Sequence, residues 1–279
     1  MAPKRKTSAS PRVAVVIPAH NESGRIGATV RAALTLRTVD LVLVVDDGST
    51  DSTRQKARDA GAVVVRHSRN QGKSAAMETG AAVVAMRDAE GAPPRLLLFI
   101  DADLEDSAAL VGPLIDPVIS GAADFTVAVL PKPAGAGGWG LVKGLARRGI
   151  QASTGVKPRA PLSGQRCMTR PVFDMATPLA KGWGVETGMT IDLLRQGLTM
   201  EETDLELHHR ISTNTVRGIV HRAGQFRDVA LALASRSLRQ VGSGGRRGLK
   251  KTFGRPQPPR RPPVAFGDQT QPQWQRNIS

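Results

Sequence analysis

The sequence predicts an α/β fold with a mostly parallel central sheet flanked by helices. Short apolar runs of strand length recur through residues 13–110, and the segments between them carry apolar residues at helical spacing. This alternation is typical of parallel strands joined by crossover helices and covered on both faces. With 279 residues, 40% of them hydrophobic, the chain can bury one sizeable core.

The first half predicts strands and helices in strict alternation. Its first strand stops at Pro18 and its second at Asp46, because proline and turn-forming residues interrupt a strand. Either Ser49 or Thr50 can cap the helix that follows. In chain order we expect a strand at 13–17, a helix at 21–36, a strand at 41–45, a helix from 49 or 50 to about 60, a strand at 62–65, a helix at 73–86 and a strand at 96–100.

The second half has a looser pattern. A Gly/Pro-rich segment at 131–140 predicts a loop that closes over a substrate. Around it we expect a helix at 108–119, a strand at 124–130, a helix at 141–151, a loop through 161–164, a helix at 185–196, a strand pair or edge segment at 198–207 and a closing amphipathic helix at 219–238.

The formal charge of +15 is concentrated at the two ends of the chain. Residues 1–12 carry four basic residues and no acid, and residues 236–279 carry ten basic residues and only Asp268 as an acid. Proline, glycine and like charge at this density predict disorder. We therefore expect one folded domain at 13–235 between a basic arm at 1–12 and a basic tail at 236–279.

Three partners suit such a tail: an anionic membrane surface, nucleic acid, or none beyond solubility. Basic clusters gain about 1 kcal/mol per Lys/Arg at an anionic leaflet. Phe253, Phe266 and Trp274 are not regularly interleaved with the basic residues, which disfavours nucleic acid. We expect the membrane surface, and a homodimer is left open.

Targeting signals are sparse. The single cysteine, Cys167, excludes an internal disulfide and fits a reducing compartment. No apolar core of a secretory signal precedes Pro11, and no apolar run reaches the length of about 18 residues that a membrane span requires. We expect a cytoplasmic protein that is peripheral at the inner face of the membrane.

The most informative pair of residues is Asp101 and Asp103, directly after the strand predicted at 96–100. Side chains two positions apart share one face of an extended chain, so both carboxylates can leave the strand end together. Ligands of open α/β sheets bind beyond the carboxyl ends of the strands. Two carboxylates there favour a bound divalent cation such as Mg²⁺, which also neutralises a diphosphate. The pair therefore predicts a site for a metal and a nucleotide.

Four motifs follow the predicted strands in order. They are Ile17-Pro18-Ala19-His20-Asn21-Glu22, Val45-Asp46-Asp47-Gly48-Ser49-Thr50-Asp51, Asn70-Gln71-Gly72-Lys73 and Asp101-Ala102-Asp103. The ordered set resembles the nucleotide-sugar domain of family 2 glycosyltransferases, which have the Rossmann-like GT-A fold. The resemblance covers residues 13–110, so we expect a nucleotide-sugar half there and an acceptor half at 111–235.

The resemblance implies a role for each motif. The residues that line the nucleoside pocket would be Pro18, Ala19, Glu22 and Asp47. Lys73 would lie near the base or the phosphates, and Asp101-Ala102-Asp103 would handle the metal-bound diphosphate. Asp103 is the better direct metal ligand.

Three motifs in the second half resemble glucosyl-3-phosphoglycerate synthases and, next to them, polyprenyl-phosphate sugar transferases. They are Pro161-Leu162-Ser163-Gly164-Gln165-Arg166, Gly182-Trp183-Gly184-Val185-Glu186-Thr187-Gly188 and His208-His209-Arg210. The resemblance implies that Leu162, Ser163 and Gly164 border the sugar. It also implies that a histidine completes the metal site, which maps best onto His209 with His208 as a neighbour. Imidazole suits Mn²⁺ better than Mg²⁺, and both remain candidates.

The motifs that would bind the acceptor are less specific than those that would bind the sugar nucleotide. Thr213 and Asn214 would meet an acceptor phosphate. Glu186 would contact acceptor or sugar hydroxyls, or it would act as a base. An inverting enzyme needs such a base unless the acceptor is an ionised phosphate, whereas a retaining enzyme does not need one.

Each candidate also has an ordinary structural explanation. These explanations are a helix-start acid for Glu22, turn and cap chemistry for Asp46, Asp47 and Asp51, a solvated charge for Lys73, surface polar residues for His208 and His209, a capping acid for Glu186 and an ion-pair partner for Arg166. For Asp51 we prefer the structural explanation.

The sequence therefore predicts a metal-dependent glycosyltransferase that moves one sugar from a UDP- or GDP-sugar, with UDP favoured, to a phosphorylated small molecule or a polyprenyl phosphate. A nucleotidyltransferase is the first alternative, although such enzymes usually have a glycine-rich phosphate loop after the first strand, and this chain does not. A non-catalytic binding module docked by the basic ends is the second. A P-loop is excluded because His67 occupies its first glycine position.

Overall fold

A mixed seven-stranded sheet forms the centre of the structure, a computed structural model that describes residues 12–90, 92–131, 139–207 and 224–236. Its strand order is β3-β2-β1-β4-β6-β5-β7, and the described residues lie in one compact unit of the chain. The strands are β1 Val13–Ala19, β2 Val39–Asp46, β3 Val63–Arg66, β4 Leu96–Phe99, β5 Phe125–Val129, β6 Arg166–Met168 and β7 Met200–Asp204.

The sheet is mostly parallel, as predicted. β1 pairs in parallel with β2 and β4, β2 pairs in parallel with β3, and the edge strand β7 pairs in parallel with β5. The exception is β6, which runs antiparallel between β4 and β5. The sequence does not predict this strand, because three residues are too few to produce a periodic pattern.

Helices cover both faces of the sheet, and most lie where the sequence predicts them. Pro113 and Pro117 split the single helix expected at 108–119, because proline lacks the backbone donor that an α-helix requires. A 3₁₀ helix at Glu105–Leu114 and a short α-helix replace it. The α-helices are α1 Ile26–Leu34, α2 Thr53–Asp59, α3 Lys73–Met86, α4 Asp116–Ser120, α5 Trp139–Thr154, α6 Arg170–Met175, α7 Val185–Arg195 and α8 over residues 224–236.

Two apolar layers, one on each face of the sheet, explain the continuous apolar runs. In β1, Val15 points into the layer beneath α1 and the 3₁₀ helix, and Val16 points into the layer beneath α3, α6 and α7. Helix α3 approaches the sheet very closely, since a β-carbon on Gly80 would lie 2.4 Å from Val16 Cγ1. This close contact holds the middle of α3 against β1, and the helix begins at Lys73.

The last described helix, α8, packs on α7 and α5. Arg236 is 3% exposed and its guanidinium binds the carboxylate of Asp192 on α7. The folded part therefore includes Arg236, and the tail expected to begin at 236 begins later. The other domain bounds stay a prediction. Within the described ranges, every helix is too short or too polar to cross a membrane.

Candidate active site

The carboxyl ends of β1, β2 and β4 meet at one edge of the sheet. The chain leaves β1 toward β2 on one side, and β4 lies on the other side, so β1 and β4 form the point where the strand order reverses. The Asp47 N–H donates to the carbonyl of Ala19 at 2.8 Å, and the Ile100 N–H donates to the carbonyl of Val16 at 3.2 Å. All four motifs of the first half therefore lie around the crevice where α/β sheets bind their ligands.

Asp47 organises the loop that leads into α3. Its buried carboxylate accepts hydrogen bonds from the N–H groups of Gln71 at 2.9 Å and Gly72 at 2.8 Å. The same carboxylate lies 2.7 Å from His67 Nδ1, and His67 Nε2 lies 2.9 Å from Thr79 Oγ1. Asp47 thus anchors the loop in front of Lys73, and its contact with a nucleoside stays a prediction.

From the sequence, His67 serves only to exclude a P-loop. Nothing in its spacing signals the buried chain of hydrogen bonds that joins Asp47 to α3.

The loop after β1 is tied to the loop after β2. Asn21 adopts a left-handed backbone with φ of 56°, its N–H donates to Ser49 Oγ at 2.9 Å, and its side-chain oxygen accepts from the N–H of Thr50 at 2.9 Å. These bonds hold the chain directly after the partly buried Pro18 and the buried Ala19, which end β1.

Glu22 takes part in an ion network. Its Oε2 lies 3.1 Å from Arg25 Nη1, and Arg25 Nε lies 3.3 Å from Glu105 Oε1. Arg25 therefore joins the loop after β1 to the loop after β4, a connection that the sequence does not indicate.

Asp51 has the structural role that we preferred. Its carboxylate accepts from the N–H and the hydroxyl of Thr53, at 3.0 and 2.5 Å, and from the N–H of Ser23 at 3.2 Å. Slight burial raises the pKa of Asp51, but these hydrogen bonds outweigh it and lower the pKa to about 2.

The centre of the site is a three-residue cluster of Lys73, Asp101 and Glu186. Lys73 Nζ lies 2.7 Å from Asp101 Oδ1 and 2.8 Å from Glu186 Oε1. Burial alone would lower the pKa of Lys73, but the two carboxylates outweigh it and the pKa lies well above its usual value. Lys73 is therefore a permanent cation here, and not the solvated helix-start charge that was the structural alternative.

Asp103 differs from Asp101 in its surroundings. Asp101 binds Lys73 through Oδ1 and the side-chain amide of Gln165 through Oδ2, at 2.7 Å each. Asp103 is partly buried, and no hydrogen bond or ion pair joins its side chain to another described residue. Of the two carboxylates, that of Asp103 is thus the better placed to bind a ligand.

The described ranges contain no cluster of three or more His, Cys, Asp or Glu side chains suited to a metal ion. Four further candidates, the metal ligand His209, its neighbour His208 and the acceptor residues Thr213 and Asn214, lie outside the described residues, as do residues 132–138 of the predicted closing loop.

The turn before β6 packs directly against the ion cluster. A β-carbon on Gly164 would lie 2.6 Å from both Asp101 Oδ1 and Lys73 Nζ, so a larger residue here would have to displace the ends of these two side chains. Ser163 Oγ and Gln165 Oε1 are 3.0 Å apart, which fixes the amide that holds Asp101. Leu162 packs beside the turn against Val229 and other apolar residues of α5 and α8.

Arg166 is a buried structural cation. It is 1% exposed, its Nε donates to the carbonyl of Ser163 at 2.9 Å, and its Nη1 donates to Thr190 Oγ1 at 2.8 Å. Burial lowers the pKa of Arg166 to about 10, although the nearby carboxylates, that of Glu186 first, oppose this. Arg166 ties the turn at Ser163 to α7, the helix that carries Glu186.

The fold and this crevice define the class of protein: an enzyme with the GT-A fold, whose crevice at the strand reversal presents a permanent cation between two acids, beside one further carboxylate. The family model described as glycosyl transferase family 2 matches residues 14–155. The chain belongs to this family and is a glycosyltransferase.

Two curated relatives show where the likeness extends. Glucosyl-3-phosphoglycerate synthase of Mycolicibacterium smegmatis is 30% identical over 256 residues, which is 80% of this chain and 77% of the relative. Glycosyltransferase AglJ of Haloferax volcanii is 32% identical over 165 residues, 56% of this chain and 50% of the relative. The first likeness thus covers much more of the chain than the family region does.

Solved structures of glucosyl-3-phosphoglycerate synthase from Mycobacterium tuberculosis have the same fold. One holds Mn²⁺, UDP and glucosyl-3-phosphoglycerate; its TM-score is 0.66 with 26% identity, covering 82% of this chain and 81% of that one. Another holds Mg²⁺ and UDP, with a TM-score of 0.66, 25% identity and coverage of 82% and 80%. The GT-A fold predicted from the sequence is confirmed.

Proposed function

We propose that this protein transfers one hexose from a UDP-sugar, in the presence of Mn²⁺ or Mg²⁺, to a phosphorylated acceptor. The observation that carries the proposal is the cluster in which Lys73 Nζ bridges Asp101 and Glu186, with Asp103 beside it at the strand reversal. The UDP and metal complexes of the Mycobacterium tuberculosis synthase support the choice of donor and cofactor.

The residues present suit a hard divalent cation. Asp103 is a partly buried carboxylate without a partner among the described residues, and Mg²⁺ or Mn²⁺ binds through one or two carboxylates together with substrate phosphates. Asp103 would hold the cation, and His209 is the proposed second protein ligand. When bound, the cation supplies charge neutralisation for the departing diphosphate.

The remaining residues position the donor. Lys73 is proposed to lie near the base or the phosphates of the donor, and the phosphates are favoured because Lys73 is the permanent cation of the crevice. Glu186 is 6% exposed and bound to Lys73, so its carboxylate is better suited to accept hydrogen bonds from sugar hydroxyls than to act as a general base.

Asp101 is proposed to meet the ribose or a metal-bound water, and the turn at Leu162, Ser163 and Gly164 is proposed to border the sugar. Pro18, Ala19, Glu22 and Asp47 are proposed to line the nucleoside pocket.

For the acceptor we propose a small phosphorylated acid of the phosphoglycerate type. Structures of the Mycobacterium tuberculosis synthase with phosphoglyceric acid support this choice over a polyprenyl phosphate. The phosphate is proposed to bind near Thr213 and Asn214.

We also propose that residues 236–279 bind the protein peripherally to an anionic membrane. This proposal concerns where the protein is located and does not depend on which acceptor it uses.

The test is a transfer assay on the full-length protein with UDP-glucose, Mn²⁺ and 3-phosphoglycerate, run beside GDP-glucose and beside a polyprenyl phosphate. We expect UDP release that requires both the cation and the phosphorylated acceptor, and a new glycoside in the product. Formation of UTP and a sugar phosphate from UDP-glucose and pyrophosphate would instead establish the nucleotidyltransferase alternative. Donor binding without any turnover would establish the binding module.

A further inference from the structure

A buried threonine on α1 contacts the loop that carries the two aspartates. Thr29 is fully buried, and its hydroxyl donates to the carbonyl of Ala102 at 2.8 Å. The same oxygen accepts a hydrogen bond from the N–H of Glu105 at 2.9 Å. One side chain thus holds the backbone on both sides of Asp103.

The backbone at Glu105 has a conformation that it would not adopt without surrounding contacts. Glu105 has a φ of 50°, in the left-handed region that residues other than glycine rarely occupy. Such a conformation persists only when surrounding contacts impose it. The Glu105 carboxylate receives a further contact from Arg25, but its N–H is held by the Thr29 hydroxyl.

We propose that Thr29 is a positioning residue for Asp103. By fixing Ala102 and Glu105, its hydroxyl sets the direction of the Asp103 carboxylate, which has no partner of its own among the described residues. The inference rests on the proposed function in one respect, because it takes Asp103 as the residue that binds the cation. Partners that orient a metal ligand commonly change metal affinity by about tenfold or more when they are removed.

The variant Thr29→Val tests the proposal, because valine keeps the shape of the side chain and loses only the hydroxyl. The pair Thr29→Ser and Thr29→Ala repeats the comparison at smaller size, should valine prevent folding. Thr126→Val is a matched control. Thr126 lies on β5 and not at the aspartate loop, it is equally buried, and its hydroxyl donates to the carbonyl of Leu114 at 2.7 Å.

The measurement is Mn²⁺ binding to the full-length protein in the presence of UDP, followed by the electron paramagnetic resonance signal of free Mn²⁺. We expect Thr29→Val to weaken Mn²⁺ binding about tenfold or more, Thr29→Ala to weaken it relative to Thr29→Ser, and Thr126→Val to leave it unchanged. Equal affinity in Thr29→Val and the unmodified protein would overturn the inference, and so would an equal loss in Thr126→Val. Failure of the unmodified protein to bind Mn²⁺ with UDP would instead overturn the proposed function, and this inference with it.

Discussion

Lys73 Nζ lies 2.8 Å from Glu186 Oε1, although the two residues lie in the first turns of helices from opposite halves of the sequence. The same nitrogen lies 2.7 Å from Asp101. Two anions therefore share one cation, and of the three side chains that of Glu186 is buried. Removal of the cation leaves the buried Glu186 carboxylate without its ion-pair partner and leaves Asp101 with the Gln165 amide but no cation.

We expect Lys73→Met to destabilise the protein by about 3 kcal/mol, the usual cost of stranding a buried charge. The transfer rate should also fall strongly, because Asp101 loses one of the two contacts that orient it and the crevice loses its cation. Urea denaturation and steady-state kinetics measure the two effects. Lys56→Met, on an exposed face of α2, is the control. Addition of Glu186→Gln to Lys73→Met should recover part of the stability, and an unchanged or lower stability would contradict the buried ion pair.

Much of the fold follows from local patterns in the sequence. The apolar runs located six of the seven strands of the described sheet, and the helix expected at 73–86 coincides with Lys73–Met86. The missing strand is β6, whose three residues include the buried cation Arg166. No periodicity marks so short a strand, and only its neighbours β4 and β5 explain it.

The residues of the candidate site also fall into two groups, those that the sequence predicts and those that only the tertiary structure reveals. Asp101, Asp103 and Lys73 were identified because motifs directly follow strands that the sequence reveals. The contacts of Thr29, His67 and Gln165 were not identified, because each polar side chain reaches a partner at least 20 residues away. Such contacts depend on tertiary packing and leave no signal in spacing.

Asp103→Asn should remove activity while leaving the fold intact. The neutral amide is a poor ligand for a divalent cation, so we expect a loss in kcat/KM of roughly 10³-fold, comparable to the removal of an electrostatic group at a transition state. The melting temperature without ligand should stay within about 2 °C, because a side chain without structural partners contributes little. Asp106→Asn, on an exposed residue of the 3₁₀ helix, is the control. Activity close to that of the unmodified protein would show that Asp103 does not act on the donor.

Gly164→Ala should weaken donor binding. Its β-carbon would lie 2.6 Å from Asp101 Oδ1 and from Lys73 Nζ, and the ion pairs of those groups oppose their displacement. We expect the KM for the sugar nucleotide to rise about tenfold, a loss of about 1.4 kcal/mol in binding. Gly144→Ala on α5 is the control, since no atom lies within 4 Å of its added β-carbon. If Gly164→Ala binds the donor normally, this close contact is not important for the site.

The depressed pKa of Asp51 predicts a pH-dependent contribution to stability. A carboxyl group with a pKa near 2 in the folded protein and near 3.8 in the unfolded chain stabilises the fold above the higher value. This contribution is lost as the pH falls from about 4 to about 2. We therefore expect Asp51→Ala to lower the melting temperature at pH 7 and the difference from the unmodified protein to shrink toward pH 2. Calorimetry at several pH values measures this, and a difference that does not change with pH would contradict it.

Arg236 gives the last prediction, which separates the folded domain from the basic tail. Arg236 is 3% exposed and binds Asp192, whereas residues 241–279 carry most of the tail's charge. A chain that ends at 235 leaves Asp192 without its partner, and we expect it to be about 3 kcal/mol less stable than one that ends at 240. Arg236→Met in the full-length protein should show a similar loss, because it removes the charge and keeps the tail.

The chain that ends at 240 should retain sugar transfer and lose its sedimentation with anionic vesicles, since it lacks the basic residues that attract such a surface. Vesicle binding that survives this truncation would exclude the tail as the membrane contact, and equal stability of the two truncated chains would contradict the role of Arg236.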